Sequence, residues 1–171
     1  MIVQFCGLSG SGKTTLAQSV KLLLDKQGIP VEVIDGDEYR KALCSDLGFS
    51  KEDRNQNIRR LAFVANKLSQ HGIVTIICAI NPYEDIRQEV VNTYPGVKTV
   101  YIHCSMGTLI ERDTKGLYKR AMLPKKDPRH LANLTGVNDP FDAPTNPDLI
   151  IDTDEESIES ATKKIADLIR L

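Results

Sequence analysis

Short apolar runs alternate along the chain with longer stretches in which apolar side chains recur every three or four positions. The runs have the length of β-strands, and the pattern predicts strands at Ile2 to Cys6, Val31 to Ile34, Val74 to Ile80, Val97 to Cys104 and Leu149 to Asp152. The intervening stretches predict helices over Lys13 to Gln27, Glu38 to Asp46, Ser50 to about Gln70, Tyr83 to Thr93, Ser105 to Arg112 and Asp154 to Leu171. This alternation favours an α/β fold, in which a five-stranded parallel sheet is covered by helices on both faces.

The apolar positions also predict which helix faces are buried. In the last helix the inward-facing residues are expected to be Ile158, Ala161, Ile165 and Leu168. The chain has 171 residues, which is typical of one domain, so we expect a single domain over residues 1–171. From Arg112 to Pro147 the apolar periodicity weakens while charges, prolines and glycines increase. We interpret this stretch, called the lid segment below (about residues 112–147), as a basic lid that closes over phosphates; an ordinary charged loop is the alternative.

Composition excludes several classes of partner. The net charge is −1, which gives no reason to expect nucleic acid or an anionic membrane as the main partner. No apolar run approaches the roughly 20 residues of a membrane span, and the chain starts directly in a strand without a secretion signal. We therefore expect a cytoplasmic protein with a small-molecule partner.

The cysteines and histidines show no catalytic or metal-binding pattern. Cys6, Cys44, Cys78 and Cys104 lack C-x-x-C spacing and a histidine partner, so we interpret them as reduced, structural residues. His71, His103 and His130 are isolated in the sequence, and each is interpreted as a structural position rather than a catalytic base.

The strongest motif follows the first strand. Gly7 to Thr14 reads GLSGSGKT and fits the phosphate-binding pattern G-x-x-x-x-G-K-[ST] at every specified position. Its glycines allow backbone N–H groups to surround an anion at a helix N-terminus. Lys13 is expected to reach the β- and γ-phosphates of a nucleoside triphosphate, and the Thr14 hydroxyl to bind Mg²⁺. The motif indicates a P-loop NTPase fold.

Two further groups of polar residues lie near predicted strand and helix ends. Asp35 and Asp37 follow the second strand, at the sheet edge where open α/β sheets bind ligands. Arg54 and Asn57 lie on one side of the long helix, together with Arg59 and Arg60 nearby. Two interpretations of this basic helix start remain open: a solvated face, or a site for an anionic nucleotide.

Taken together, these motifs resemble the adenylyl-sulfate kinase family. The resemblance extends over nearly the whole chain and rests on the segments Gly7 to Thr15, Asp35 to Asp37, Leu43 to Ser50, Asn57 to Arg60, Arg112 to Lys119, Thr135 to Val137 and Asp148 to Asp152. It implies an ATP-dependent kinase that phosphorylates the ribose 3′-hydroxyl of adenosine 5′-phosphosulfate. A homodimer is an expectation from the family alone.

The resemblance also implies roles for individual residues. The ATP site would comprise Gly7, Ser9, Gly10, Ser11, Gly12, Lys13, Thr14, Thr15 and Arg112. The acceptor site would comprise Asp35, Asp37, Arg40, Phe49, Arg54, Asn57, Ile80, Asn81, Lys115 and Leu134, with Phe49 stacked on the base. Asp37 would orient or deprotonate the 3′-hydroxyl or help to bind Mg²⁺, and Lys115 and Lys119 would act on the transferred phosphate from the lid.

Two departures from the family pattern fall on the acceptor side. Asn81 occupies the position where the family usually has a serine, and Leu134 the position of a second aromatic residue. These changes leave open a related acceptor, such as a cytidine diphosphoramidate used in surface polysaccharide modification.

Two other functions fit the sequence less well than the kinase. A nucleotide-binding regulator without turnover would have lost catalytic positions, yet Lys13, Thr14 and Asp37 are all present. A kinase for an unrelated small metabolite would share the phosphate-binding loop, but this function would not explain the residues of the segment from Asp35 to Arg60.

Overall fold

One five-stranded sheet organises the molecule. In the computed structural model, which describes residues 1–171, the strands are β1 (Ile2–Cys6), β2 (Val31–Asp35), β3 (Val74–Cys78), β4 (Lys98–His103) and β5 (Leu149–Asp152). Their spatial order is β2-β3-β1-β4-β5, and every neighbouring pair is parallel. The predicted fold class, a five-stranded parallel α/β fold, is confirmed.

Seven helices connect and cover the strands. They are α1 (Lys13–Asp25), α2 (Gly36–Leu43), α3 (Lys51–Ser69), α4 (Glu84–Thr93), α5 (Met106–Arg112), α6 (Leu117–Ala121) and α7 (Ile158–Arg170). None of them combines the length and the apolar character that a bilayer crossing requires. The short α6 lies inside the lid segment, where the weak apolar periodicity predicted no helix.

Some predicted boundaries were wrong, for local reasons. The third strand ends at Cys78 rather than Ile80, because the chain turns at Asn81, which has a φ of 49°. The last helix begins at Ile158 rather than Asp154, because the Asp154 carboxylate accepts the Ser105 N–H at 2.8 Å and Ser157 caps the helix instead. The Asp35 carboxylate caps α2, so that helix starts at Gly36 rather than Glu38.

The hydrophobic core lies on both faces of the sheet. Alternate residues of β1 point to opposite sides. Val3 and Phe5 pack toward α1 and α7, and Ile2 packs toward α3 and α4. A third, smaller cluster lies against the lid segment and contains Cys104, Leu109, Tyr118, Ala121 and Leu134; we call it the lid cluster.

The side-chain predictions for the core mostly agree with the structure. All four cysteines are buried and unpaired, as expected of small core residues. Ala161 and Ile165 of α7 are buried, but Ile158 is 55% exposed, so its predicted inward orientation was wrong. Ile158 is the first residue of the late-starting helix and does not belong to the core cluster that α7 covers.

Candidate active site

A cavity of about 640 Å³ opens at the carboxyl ends of β1, β2 and β3. This is the edge at which parallel α/β sheets bind ligands. Of the residues predicted for the site, the cavity wall includes Ser9, Gly10, Gly12, Lys13, Thr14, Thr15, Asp35, Asp37, Arg40, Phe49, Arg54, Asn57, Ile80, Asn81, Arg112 and Lys115. The structure therefore brings the predicted ATP and acceptor residues together around one cavity.

The phosphate-binding loop joins β1 to α1. Gly12 has a φ of 93°, a left-handed conformation that favours glycine, and α1 begins at the next residue. A Cβ atom at Gly7 would collide with the backbone carbonyl oxygen of Ile102 on β4. The loop thus requires glycine at both ends, and the N–H groups at the start of α1 face the cavity with a partial positive charge.

Lys13 lies inside this loop. Its Nζ donates to the carbonyl oxygens of Gly7 at 2.9 Å and Leu8 at 2.7 Å, and to Ser11 Oγ at 3.4 Å. Burial lowers the pKa of Lys13 to about 8, because the charged form loses hydration. Near neutral pH the side chain still presents an ammonium group to an anion in the loop.

Side-chain oxygens lie close together beside the loop, at the end of β2 and the start of α1. Thr14 Oγ1 donates to Asp35 Oδ2 at 3.2 Å. Asp35 Oδ1 accepts the N–H groups of Asp37 at 2.9 Å and Glu38 at 3.3 Å, which fixes its orientation. Mg²⁺ in nucleotide sites takes such oxygen ligands, one or two carboxylates plus phosphate and water, so these residues fit the ion.

The part of the cavity away from the phosphate-binding loop is built around Phe49. Its ring is half exposed, and the guanidinium carbons of Arg40 and Arg54 lie 4.5 and 5.4 Å from the ring centroid. Arg54 is buried and donates to the carbonyl oxygens of Phe49 at 3.0 Å and Asn133 at 2.8 Å, and to Asp139 at 2.7 Å. These bonds connect the start of α3 to the end of the lid segment.

The two interpretations of the basic helix start apply to different residues. Arg54 and Asn57 are buried and lie on the cavity wall, and Asn57 Oδ1 has no hydrogen-bond partner. Arg59 and Arg60 are surface residues that pair with Glu89 and Asp46, each at 2.6 Å. The solvated-face interpretation is thus wrong for the first pair and confirmed for the second.

Four predicted site residues do not line the cavity. Gly7 and Ser11 lie within the phosphate-binding loop, Ser11 being fully buried. Lys119 is exposed on α6, with its N–H bonded to Asp113 Oδ2 at 2.9 Å. Leu134 is buried in the lid cluster. The roles assigned to these residues stay predictions.

The structure adds cavity residues that the sequence did not assign to the site. A wall beside Arg112 runs from the end of β5 into α7 and comprises Thr153, Glu156, Ser157, Ile158 and Ala161. Arg112 Nη2 donates to the Thr153 carbonyl oxygen at 3.0 Å. Only their place in the fold could have indicated them, because the end of β5 lies at the same sheet edge as the ends of β1 and β2.

Comparison with known proteins agrees with this geometry. The family model described as adenylylsulphate kinase matches residues 1–152. The chain is similar to adenylyl-sulfate kinases from Chloroflexus aurantiacus, at 44% identity over 92% of this chain and 82% of the relative, and from Deinococcus deserti, at 42% identity over 97% and 89%. It is also similar to the Mycobacterium tuberculosis APS kinase CysC in complex with AMPPNP and APS, with a TM-score of 0.91 and 34% identity over 99% of this chain and 97% of that chain. The chain therefore belongs to the adenylylsulphate kinase family and is a phosphotransferase with an alcohol group as its acceptor.

Proposed function

We propose that this protein transfers the γ-phosphoryl group of ATP to the ribose 3′-hydroxyl of adenosine 5′-phosphosulfate. The observation that carries the proposal is that one cavity is bounded by the phosphate-binding loop on one side and by Phe49 with Arg40 and Asn57 on the other. A donor bound to the loop and an acceptor stacked on Phe49 would meet beside Asp37. The names of the similar proteins support this pair of substrates.

The donor side follows from the loop geometry. The N–H groups of the loop and the ammonium of Lys13 would hold the β- and γ-phosphates of ATP. Arg112 and the Thr153 to Ile158 wall would surround the adenine, since they lie at the α7 end of the same cavity. Thr14 and Asp35 would hold Mg²⁺, with Asp37 near them; the ion would neutralise charge on the β- and γ-phosphates.

The transfer itself depends on positioning and on charge. The 3′-oxygen bonds to the γ-phosphorus while the bond from that phosphorus to the β–γ bridging oxygen breaks, so that ADP leaves. The Asp37 carboxylate would orient the 3′-hydroxyl and accept its proton. The Lys115 ammonium would stabilise the negative charge on the transferred group.

One observation keeps the cytidine compound as a second candidate. Phe49 is the only aromatic residue on the cavity wall, and Leu134 lies in the lid cluster instead of opposite it. The base is therefore held by one aromatic face, which discriminates weakly between adenine and cytosine. The names of the proteins compared above support adenosine 5′-phosphosulfate as the acceptor. None of them supports a cytidine acceptor or a regulator without turnover.

A substrate panel tests the proposal. We would measure kcat/KM with ATP and Mg²⁺ for adenosine 5′-phosphosulfate, cytidine diphosphoramidate, AMP and CDP, and locate the phosphate in each product. Preference for adenosine 5′-phosphosulfate with a 3′-phosphate product is the expected result. A strong preference for the cytidine compound would assign the second function, and ATP binding without transfer to any acceptor would contradict both.

A further inference from the structure

Asn81, on the cavity wall, forms a closed ring of hydrogen bonds with two buried residues that do not line the cavity, Gln4 and Arg87. Asn81 Nδ2 donates to Gln4 Oε1 at 3.0 Å, Gln4 Nε2 donates to the Arg87 carbonyl oxygen at 3.1 Å, and Arg87 Nη1 donates to the Asn81 carbonyl oxygen at 2.6 Å. Each of the three is at most 1% exposed. A backbone carbonyl can only accept, so it fixes the orientation of the Gln4 amide, and Gln4 in turn fixes that of Asn81.

The buried charge in this ring is compensated. Arg87 Nε and Nη2 donate to Glu84 Oε2 at 3.0 and 2.7 Å, and Nη2 also donates to the Asp142 carbonyl oxygen at 2.6 Å. A buried guanidinium is stable only when it is paired and hydrogen-bonded in this way. Its bonds join the first turn of α4 to the end of the lid segment.

The ring holds an unusual piece of backbone. Asn81 has a φ of 49°, in the left-handed region that most side chains disfavour. Directly before it, the Ile80 carbonyl oxygen accepts the Gly7 N–H at 3.1 Å; directly after it, the Pro82 carbonyl oxygen accepts the Asp142 N–H at 2.8 Å. The turn from Ile80 to Pro82 forms part of the cavity wall and contacts both the phosphate-binding loop and the lid segment.

We propose that Gln4 and Arg87 are positioning residues for phosphoryl transfer. Gln4 binds the side chain of Asn81, and Arg87 binds the carbonyl group of Asn81. The turn from Ile80 to Pro82 therefore keeps its left-handed conformation. The turn then keeps the acceptor wall in register with the phosphate-binding loop through the bond from Gly7 to Ile80. Neither Gln4 nor Arg87 lines the cavity, so each acts through Asn81. The inference rests on the proposed function for the identity of the acceptor.

Kinetics separate this role from a purely structural one. Gln4→Met keeps the side-chain length but removes the two bonds of Gln4 in the ring, and Arg87→Lys keeps the charge but loses the forked geometry. We expect each variant to lower kcat at saturating substrates by about 10-fold or more, with the KM for ATP within about 2-fold. Millimolar guanidinium added to Arg87→Ala should restore part of kcat. Arg59→Ala is the matched control, because its ion pair with Glu89 also holds α4 in place but lies outside the cavity; its kinetic constants should not change.

Amide hydrogen exchange tests the same inference without an acceptor. If the ring holds the Ile80 carbonyl against Gly7, the Gly7 N–H should exchange about 10-fold faster or more in Gln4→Met than in the unaltered protein, and at the same rate in Arg59→Ala. Folded Gln4→Met with both Gly7 exchange and kcat within about 2-fold of the unaltered protein would overturn the inference. If Gln4→Met does not fold, the same two measurements on Arg87→Lys decide, because this variant keeps the buried charge but loses the forked geometry that holds the Asn81 carbonyl group. Faster Gly7 exchange in a protein that does not phosphorylate adenosine 5′-phosphosulfate would refute the proposed function alone.

Discussion

Lys115 Nζ lies 2.5 Å from Asp37 Oδ2, across the mouth of the cavity. Asp37 follows β2 and belongs to the first turn of α2, whereas Lys115 comes from the lid segment, 78 positions later in the chain. Hydrogen bonding to Asp37 raises the pKa of Lys115 above its ordinary value, so the lysine stays charged. The pair shows that a carboxylate and an ammonium from opposite walls reach one point, where the proposed transfer needs a base and a positive charge.

Replacing Asp37 by asparagine tests that assignment. We expect Asp37→Asn to lower kcat/KM by about 100-fold or more, because the amide neither accepts a proton nor attracts Lys115. Steady-state kinetics provides the measurement, and circular dichroism checks that the fold is retained. Glu38→Gln is the matched control, since Glu38 is the exposed neighbour in α2 and lies outside the cavity. Near-normal turnover in Asp37→Asn would remove Asp37 from its proposed role.

The buried Lys13 predicts a pH dependence of ATP binding. Burial lowers its pKa from 10.5 to about 8, and only the ammonium form attracts phosphate. The Kd for ATP should therefore rise roughly 10-fold between pH 7 and 9. Isothermal titration calorimetry measures it, and Lys13→Arg, whose guanidinium stays charged, should show no comparable slope. A Kd for the unaltered protein that does not change with pH would contradict the lowered pKa.

The same pKa shift predicts the effect of pH on the stability of the ligand-free protein. Between about pH 8 and 10.5 the unfolded chain keeps the Lys13 proton that the folded chain has released. Stability rises with pH wherever the unfolded state binds more protons. The contribution of Lys13 to the free energy of unfolding should therefore increase over this window, the opposite of the trend in ATP affinity. Urea denaturation of the unaltered protein and Lys13→Met, compared at pH 7.5 and 9.5, measures that contribution.

Glycine at position 7 is required by packing against β4. Gly7→Ala would place a Cβ against the Ile102 carbonyl oxygen, and backbone cannot move aside as a side chain can. We expect a loss of about 2 kcal/mol or more in the free energy of unfolding and loss of ATP binding. Gly107→Ala is the control, because Gly107 lies in α5 and an added Cβ meets nothing within 4 Å. That variant should be about 0.5–1 kcal/mol more stable in urea denaturation.

The first strand and the phosphate-binding loop could be predicted from the sequence because their signals are local. The apolar run of β1, the glycines of the loop and Lys13 lie within 13 consecutive positions, and each follows from short-range geometry. The partners of Arg54 could not be predicted this way, since Asn133 and Asp139 are 79 and 85 positions away and meet it only through the fold. The inward orientation predicted for Ile158 was wrong because Asp154 bonds to Ser105 and α7 begins only at Ile158. The spacing of apolar residues gives no sign of that bond.

Phe49 and Phe63 allow a matched test of base stacking. Both rings are 54% exposed and both lie beside a cation, Arg40 at 4.5 Å and Lys67 at 5.5 Å, but only Phe49 lines the cavity. Stacking is worth about 0.5–1.5 kcal/mol beyond burial, so Phe49→Ala should raise the acceptor KM by roughly 10-fold and leave the KM for ATP unchanged. Phe63→Ala should change neither constant. Equal acceptor KM values in the two variants would exclude Phe49 as the base platform, whichever nucleotide the protein phosphorylates.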